Sequence, residues 1–400
     1  MLSAFARPFI EASVAVLQAH GIAITRRFYA DLFEAHPELR HVFNQGNQAN
    51  GAQQGALAAA LVAYAANYDR REALAPILQR IAHKHVSLGV GPAQYTVVAR
   101  HLLGAIRHVL GAAATPDLLA AWDEAYWLLA GELIATEARL YERAQVTPGD
   151  LRELTVCAVQ RETHDIVSFH LQGAQGESPG RFMPGQFISV QVELPDGLRQ
   201  QRQYSLSDAS SRPYWRITVK REPAGHDTPE GRVSGHLHDH VRVGDVLRVG
   251  PVSGDFQPAA PEGRPIALLS AGVGITPMLS VLNTLADQRA PGAVLFAHAA
   301  RSPGHHALRG EIVRAHERLP GLHSIAFYED LPASERAANV VAGQMTLAGD
   351  LLAPYADAEV FLCGPLAFMR AQWRALVAAG ISPARLHREV FGPDLLGSLV

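Results

Sequence analysis

The chain has 400 residues, of which 48% are hydrophobic and 18% are charged, so it is able to bury more than one core. This length corresponds to about two to four domains. A formal net charge of -3, without a block of like charges, argues against nucleic acid and anionic membranes as partners.

The cysteine content and the apolar stretches bear on the compartment. Two cysteines, Cys157 and Cys363, cannot form a disulfide framework, which indicates a reducing environment. No basic leader precedes an apolar segment at the N-terminus, and the apolar stretches at 56–66 and 265–282 are too short or too broken to span a bilayer. We therefore expect a cytoplasmic protein without stable membrane insertion and without an obligate protein partner.

Residues 1–146 are predicted to form an all-α domain. Apolar residues recur with a 3.6-residue period over 77–88, 95–110 and 118–141, and glycines are few. The triplet Thr115-Pro116-Asp117 is typical of a helix start. Turn-forming residues at 147–150 predict a linker after this domain.

The rest of the chain predicts two domains that contain strands. Residues 151–261 contain short β-rich runs separated by Pro-Gly, Pro-Asp-Gly and Val-Gly-Asp turns, which predicts a small antiparallel barrel. Residues 262–400 alternate strands with helices, as in an α/β domain with a parallel sheet. The predicted strands are 154–159, 166–171, 186–194 and 215–219 in the barrel, and 266–271, 294–299, 325–328 and 359–363 in the α/β domain.

Two histidines of the helical domain lie on different faces of one predicted helix. His85 continues an apolar stripe that includes Leu78, so its imidazole should point into the core. His83 shares a polar face with Arg80 and Ser87. A hydrogen-bonded core histidine is the simpler interpretation of His85, and a metal ligand is the alternative.

Two further polar residues interrupt apolar stripes in the same domain. Tyr95 lies in line with Leu102, and Glu137 follows Leu133 by four residues. A carboxylate facing a core is costly unless it is paired. A Tyr95–Glu137–His85 network would meet that cost, and a strong acceptor on the second ring nitrogen makes a metal-ligating histidine more electron-donating.

With the residues around them, these positions resemble the globin domain of the bacterial flavohaemoglobins, a family of nitric oxide dioxygenases. The resemblance extends over essentially the whole chain, with the domains in the same order. It implies that His85 ligates the iron of haem b. It also implies that Lys84, Tyr95 and Glu137 tune the proximal side. On the distal side it implies haem packing by Phe43 and a pocket of Tyr29, Gln53 and Leu57.

The barrel contains a motif suited to FAD. In Arg202-Gln203-Tyr204-Ser205 the guanidinium can bind a pyrophosphate, the phenol ring can pack on the isoalloxazine, and the hydroxyl can hydrogen-bond near the flavin N5. With Gln186-Phe187 before it and the helix start Val233-Ser234 after it, the segment resembles the flavin domain of the ferredoxin-reductase type.

Three departures from that family pattern affect the flavin contacts. Phe187 stands where many relatives have Tyr, Gly235 stands where Asn is usual, and 225–230 is expected to be an inserted surface loop. His236, His238 and His240 follow in the next segment, but alternate residues diverge on a helix, so we predict no metal site there. Cys157 is predicted to be a plain core residue.

The α/β domain contains a glycine-rich turn after its first strand. The standard dinucleotide fingerprint fails, since Pro277 replaces the third glycine and no acidic residue follows the second strand. Together with a Cys-Gly-Pro turn and a C-terminal Phe-Gly-Pro segment, it instead resembles the nicotinamide domain of ferredoxin reductases. The implied NAD(P) and flavin contacts are Gly272, Val273, Gly274, Ile275, Thr276, Pro277, Cys363, Gly364, Pro365, Val390, Phe391, Gly392 and Pro393, and Glu389 is implied to influence the redox centres. Arg301 would tolerate a 2′-phosphate, and the choice between NADH and NADPH stays open.

The three predicted domains together suggest an internal electron-transfer chain. Hydride delivers two electrons, haem iron changes by one, and flavin converts between the two. The resemblance implies that the chain oxidises nitric oxide to nitrate with dioxygen, both as small-molecule substrates. Two alternatives remain: an oxygen or nitric oxide carrier or sensor kept ferrous by its own reductase, and a general NAD(P)H-dependent reductase of external acceptors.

Overall fold

A computed structural model describes residues 1–41, 48, 51–225, 229–258, 264–347 and 349–392. In these residues a helical region precedes a six-stranded antiparallel sheet, and a six-stranded parallel sheet follows. This order confirms the predicted fold class.

The helical region is built from long amphipathic helices around one apolar core. Its described helices are α1 (Ala6–Ala35), α2 (Ala52–Asn67), α3 (Arg71–Leu88), α4 (Pro92–Leu110) and α5 (Pro116–Ala144), with 3-10 turns at Pro37–His41 and Gly111–Ala113. Helix α5 begins where the sequence predicts it, because the Thr115 hydroxyl accepts a hydrogen bond from the Leu118 amide at 3.2 Å. Pro116 occupies the first turn, where its missing N–H costs nothing.

Helix α1 is long and apolar enough to cross a membrane by length and composition alone, with a mean hydropathy of 1.2 over its most apolar window. A core helix of a globular domain meets the same criterion. Ile10, Ile24 and Phe28 of α1 are buried in the helical core, where the helix contacts α2, α4 and α5. We therefore assign α1 to that core.

The antiparallel sheet has the strand order β4-β3-β6-β1-β2-β5. Its elements are β1 (Arg152–Arg161), β2 (Ile166–Gln172), β3 (Phe187–Glu193), β4 (Arg199–Ser205), β5 (Trp215–Lys220), helix α6 (Arg232–His240) and β6 (Val246–Val249). A bridge between Leu206 and Ile217 joins the outer strands β4 and β5, so the sheet closes as a barrel. Sequence patterning missed β4, which is almost entirely polar, and β6, which has only four residues.

Cys157 does not fit the prediction of a plain core residue. It is only half-buried, at a point where the pairing of β1 with β2 shifts between Val156 and Ala158. Cys157 is the extra residue of this bulge, so its side chain leaves the regular alternation of inward and outward side chains along β1. Its thiol donates to the His170 carbonyl at 3.4 Å.

The parallel sheet has the order β10-β9-β8-β7-β11-β12. Its elements are β7 (Ile266–Ala271), α7 (Ile275–Gln288), β8 (Val294–Ala300), α8 (Arg309–His316), β9 (Leu322–Tyr328), β10 (Val340–Ala342), α9 (Gly349–Leu352), β11 (Glu359–Cys363), α10 (Leu366–Ala378) and β12 (Leu386–Glu389). The edge strands β10 and β12 were not predicted, because runs of three and four residues have no clear period. The chain order reverses between β7 and β11, and ligands of such sheets bind at the carboxyl ends of the strands at that point.

A buried ion-pair cluster joins the barrel to the α/β domain. Arg216 of β5 is 3% exposed and forms salt bridges with Glu311 of α8 and with Asp208. The amide of Asn283 in α7 donates to both of these carboxylates. Each charge is paired, so the cluster fixes the contact of the two domains without a buried unpaired ion.

Candidate active site

Three elements of the helical domain bring His85, Tyr95 and Glu137 together. Nδ1 of His85 on α3 lies 2.7 Å from Glu137 Oε1 of α5. The Tyr95 hydroxyl of α4 donates to the same oxygen at 2.5 Å and lies 3.1 Å from His85 Nδ1. Glu137 is 2% exposed, and its buried carboxylate has two hydrogen-bond partners, which offsets the cost of burying its charge. Burial and the carboxylate both raise the pKa of Tyr95, which keeps its hydroxyl protonated as a donor.

This arrangement fits an iron porphyrin. With Nδ1 engaged by Glu137, Nε2 of His85 is the ring nitrogen left to ligate a metal, and the imidazole is 32% exposed although its partner carboxylate is buried. No group of three or more metal-ligating side chains occurs among the described residues. A metal held by one imidazole takes its remaining ligands from elsewhere, as haem iron takes them from the porphyrin.

Tyr29 of α1 is a buried phenol whose hydroxyl is paired with Gln53. Its ring is 7% exposed and stacks on Phe33 at 5.8 Å between centroids. Burial raises the pKa of Tyr29, and a hydrogen bond with Gln53 opposes only part of that shift, so the hydroxyl stays protonated. Leu57, one helical turn after Gln53, packs against the helical core. Phe43 lies outside the described residues.

Sequence reasoning missed other contacts around Tyr29 and Gln53. Phe33 follows Tyr29 by four residues, so helical spacing was the available signal for their stacking. The Gln54 amide donates to Gln48 Oε1 at 2.9 Å, and the Thr25 hydroxyl donates to the Gln54 carbonyl at 3.0 Å. The Thr25 bond connects α1 to the start of α2, which bears Gln53.

Arg202 on β4 is a half-buried cation that is suited to a phosphate. Its guanidinium donates to the Gln201 carbonyl at 2.6 Å and to Gln200 Oε1 at 3.1 Å, and no described carboxylate forms a salt bridge with it. Burial lowers its pKa, and Tyr204 opposes that shift in part. A half-buried cation whose hydrogen-bond partners are neutral fits the diphosphate of FAD. Ser205 ends β4 opposite Phe187 of β3.

Gln186 and Phe187 organise the turn beside this strand. The Gln186 amide accepts from the Met183 backbone at 2.8 Å and donates to the Gly254 carbonyl at 3.4 Å. Gly254 has φ +118°, and a Cβ there would lie 3.1 Å from the Phe187 ring. The turn therefore needs glycine at 254. Gln186 is placed to tie this turn together.

Lys84, Phe187 and Glu389 come from three different domains and meet. The Lys84 ammonium lies 6.0 Å from the centroid of the Phe187 ring, within cation–π range. Burial lowers the pKa of Lys84, and the charge of Glu389 opposes that shift. The residue beside His85 is therefore next to the predicted flavin site.

The predicted diphosphate helix start is also formed. The Ser234 hydroxyl donates to the Gly231 carbonyl at 2.9 Å and accepts from the Glu222 amide at 3.2 Å, and Val233 is 1% exposed. At Gly235 a Cβ would make only an ordinary contact of 3.6 Å, so the glycine is not imposed by space. Of the predicted insertion, residues 226–228 lie outside the described part of the chain.

The three histidines of α6 point to different surroundings. His236 stacks on His240 with 4.8 Å between ring centroids, whereas His238 Nε2 lies 2.9 Å from the Val219 carbonyl.

The glycine-rich turn lies at the carboxyl ends of β7 and β11. A Cβ on Gly274 would lie 2.4 Å from the Cys363 carbonyl oxygen, so a side chain at 274 is excluded. Gly272 has φ +54°, and the Thr276 hydroxyl donates to the Val273 carbonyl at 3.0 Å. Ile275 and Pro277 are buried in the first turn of α7.

The Cys-Gly-Pro turn faces this glycine-rich turn. Cys363 is fully buried and pairs in register with Glu389 of β12. Burial holds the pKa of its thiol well above the usual range, with a further contribution from Glu389, so the thiol is neutral. A Cβ on Gly364 would lie 3.1 Å from Ala271 Cβ, and Pro365 precedes helix α10.

The C-terminal segment leads away from Glu389. Val390 is half-buried and the ring of Phe391 is 47% exposed, which leaves it free to cover a planar ligand. Gly392 has φ +128°. Pro393 lies outside the described residues.

Comparison with known proteins matches each domain to a family. Residues 26–133 match Globin, 153–257 match the oxidoreductase FAD-binding domain, and 268–373 match the oxidoreductase NAD-binding domain. A protein named Flavohemoprotein from Bordetella parapertussis is 45% identical over 98% of this chain and 99% of its own. One of the same name from Rhizobium meliloti is 43% identical over 99% of both chains.

The chain belongs to the flavohaemoprotein family. It is an oxidoreductase whose cofactors are haem, FAD and a nicotinamide nucleotide. A crystal structure of flavohemoglobin from Malassezia yamatoensis with bound FAD and haem is 31% identical, with a TM-score of 0.86, and covers 98% of this chain and 100% of that one. The FAD/NAD-binding domain of nitric oxide dioxygenase from Vibrio cholerae is 40% identical over 61% of this chain and 100% of its own, with a TM-score of 0.56.

Proposed function

We propose that this flavohaemoprotein is a nitric oxide dioxygenase that uses NAD(P)H and dioxygen to convert nitric oxide to nitrate. The observation on which the proposal depends most is the buried carboxylate that both His85 and Tyr95 contact. A strong acceptor on the proximal imidazole increases electron donation to iron, which an oxygen carrier does not need. The relative from Vibrio cholerae that is described as a nitric oxide dioxygenase adds support.

When bound, the nicotinamide supplies hydride, FAD splits the electron pair, and haem iron binds dioxygen. The residues of this chain bind and orient these groups. Arg202 binds the diphosphate of FAD, and the turn around Gly274 receives the nicotinamide nucleotide. His85 holds the iron, with Glu137 fixing the ring so that Nδ1 is the protonated nitrogen. The Tyr29 hydroxyl donates a hydrogen bond into the distal pocket.

In this scheme the neutral thiol of Cys363 contributes through its shape and not through its reactivity. Its pKa is raised by burial, so it is not a nucleophile. Next to Gly274, it would form part of the surface that receives the nicotinamide. Lys84 and Glu389 are placed to adjust the charge between flavin and haem.

The alternatives differ in what they predict for turnover. A carrier or sensor would bind its ligand with little steady-state consumption of NAD(P)H. A general reductase would consume NAD(P)H with external acceptors and form no nitrate. The meeting of Lys84 with Phe187 favours transfer within the chain over transfer to an outside acceptor.

Steady-state assay of the holoenzyme with NAD(P)H, dioxygen and nitric oxide tests the proposal. One nitric oxide, one dioxygen and one electron give one nitrate, and hydride supplies two electrons, so close to two nitrates should form per nicotinamide oxidised. Nicotinamide oxidation without nitrate would refute the proposal. Running the assay with NADH and with NADPH also decides the coenzyme. Arg301, which directly follows β8 and is exposed, is the residue that would tolerate a 2′-phosphate.

A further inference from the structure

The helix that bears the proposed iron ligand is bonded to the flavin barrel through its other face. His83 precedes His85 by two residues on α3, so the two side chains diverge. The Gly254 amide, in the loop after β6, donates to His83 Nδ1 at 3.1 Å. The polar face predicted for His83 is therefore a contact between domains.

Two further contacts lie on the same face of α3. Arg80 Nε lies 3.8 Å from Asp255 Oδ2, so adjacent loop residues meet helix residues one turn apart. Near the end of α3, the backbone of Gly250 approaches the Ser87 carbonyl so closely that a Cβ on residue 250 would lie 3.3 Å from that oxygen. Positions 80, 83 and 87 follow helical spacing, and together these contacts fix the register of the helix on the loop.

The same loop also touches the flavin site. Gly254 lies against the Phe187 ring, and its carbonyl accepts from the Gln186 amide at 3.4 Å. A shift of α3 along this loop would therefore change the position of His85 relative to Phe187. Because Gly254 uses its N–H toward His83 and its carbonyl toward Gln186, one residue connects the two sites.

We propose that His83 is a positioning residue for electron delivery, which holds α3 in register on the Gly254–Asp255 loop so that flavin can reduce haem. This inference rests on the internal electron transfer of the proposed function. His83 acts through its bond with the loop. The Arg80–Asp255 pair, which is more exposed, is the weaker half of the contact.

The test compares His83→Ala, His83→Asn and Gln79→Ala in the holoprotein. Gln79 is an exposed residue of the same helix and serves as the matched control. The first measurement is hydrogen exchange of the peptide that contains Gly254. The second is anaerobic stopped-flow reduction by NAD(P)H, in which flavin and haem are followed at separate wavelengths.

In His83→Ala we expect the Gly254 amide to exchange about fivefold faster and haem reduction to slow by about the same factor, as for the loss of one net hydrogen bond. Flavin reduction and the iron–histidine vibrational band should not change. His83→Asn places an amide oxygen where Nδ1 stood and should restore most of both losses. Gln79→Ala should match the unaltered protein.

Haem reduction at the original rate in His83→Ala would overturn the proposal, and so would equal slowing in the alanine and asparagine variants. Since neither dioxygen nor nitric oxide is present, the result does not depend on whether the protein forms nitrate. If no nitrate formed but the His83 variants still slowed haem reduction as expected, the proposed function would be rejected and the role of His83 would stand.

Discussion

Replacing Glu137 by glutamine tests the proximal network most directly. The carboxylate is 2% exposed, and its Oε1 accepts from both His85 Nδ1 and the Tyr95 hydroxyl. Its Oε2 is buried without a hydrogen-bond partner among the described residues. Glutamine keeps the shape and one acceptor oxygen but removes the charge, so the change acts on hydrogen-bond strength.

The size of the effect follows from the two kinds of hydrogen bond. A bond to a charged group contributes about 1.5–3 kcal/mol and a neutral one about 0.5–1.5 kcal/mol, so the His85 bond weakens by about 1.2 kcal/mol. The lost negative charge stabilised the oxidised iron more than the reduced iron. The midpoint potential of the haem should therefore rise, by up to about 50 mV for a one-electron couple.

Potentiometric titration of the holoprotein measures this shift, and resonance Raman spectroscopy of the reduced protein reports the iron–histidine stretch. We expect the stretching frequency to fall in Glu137→Gln. Glu142→Gln, an exposed change on the same helix, is the control and should leave both values unaltered. A potential and a stretching frequency equal to those of the unaltered protein would show that the carboxylate does not act through His85.

The other predictions concern the distal pocket, the flavin cradle and the nicotinamide turn. Tyr29→Phe should speed oxygen dissociation by about ten- to a hundredfold, from the loss of a bond of about 1.5–3 kcal/mol, and an unchanged rate in flash photolysis would contradict its donor role. Since burial raises the pKa of Tyr29, its hydroxyl keeps its proton as pH rises, so that rate in the unaltered protein should stay constant between about pH 6 and 9. Arg202→Ala should lose FAD during purification, and full flavin occupancy by absorbance would argue against the cradle. Gly274→Ala should weaken nicotinamide binding by at least about tenfold and lower stability by about 1–3 kcal/mol, because the new Cβ would meet the Cys363 carbonyl oxygen at 2.4 Å. Gly104→Ala, in open space on α4, is its control and should stabilise the protein by up to about 1 kcal/mol; calorimetry that ranks the two alanines equally would refute the steric argument.

Local patterns in the sequence were sufficient for the fold class and for the Tyr95–Glu137–His85 network, whereas the distal pocket was predicted only through the family resemblance. The 3.6-residue period placed His85 and Glu137 on inward faces, and the cost of a buried carboxylate required a partner for it. Tyr95 met that requirement because it interrupts the stripe of a neighbouring helix. The nicotinamide turn was recognisable from its glycines, one of which has a close backbone neighbour that admits no side chain.

The flavin cradle shows where local pattern fails. Strand β4, with Arg202 at its centre, has almost no apolar residues, so no period of two marks it. It is a strand because it pairs with β3 and because the bridge at Leu206 closes the barrel. Those are long-range interactions, which composition does not record.

The sequence by itself determined the succession of domains, the cofactor-binding motifs and the inward direction of the proximal residues, since each depends on neighbours within one or two helical turns or within one motif. Only the tertiary structure decided that Lys84 faces Phe187 and that His83 accepts a bond from Gly254, 171 positions away. Such contacts arise when separately folded domains pack against each other. Their partners are set by the shapes and charges of whole surfaces, and no periodicity within either segment specifies them.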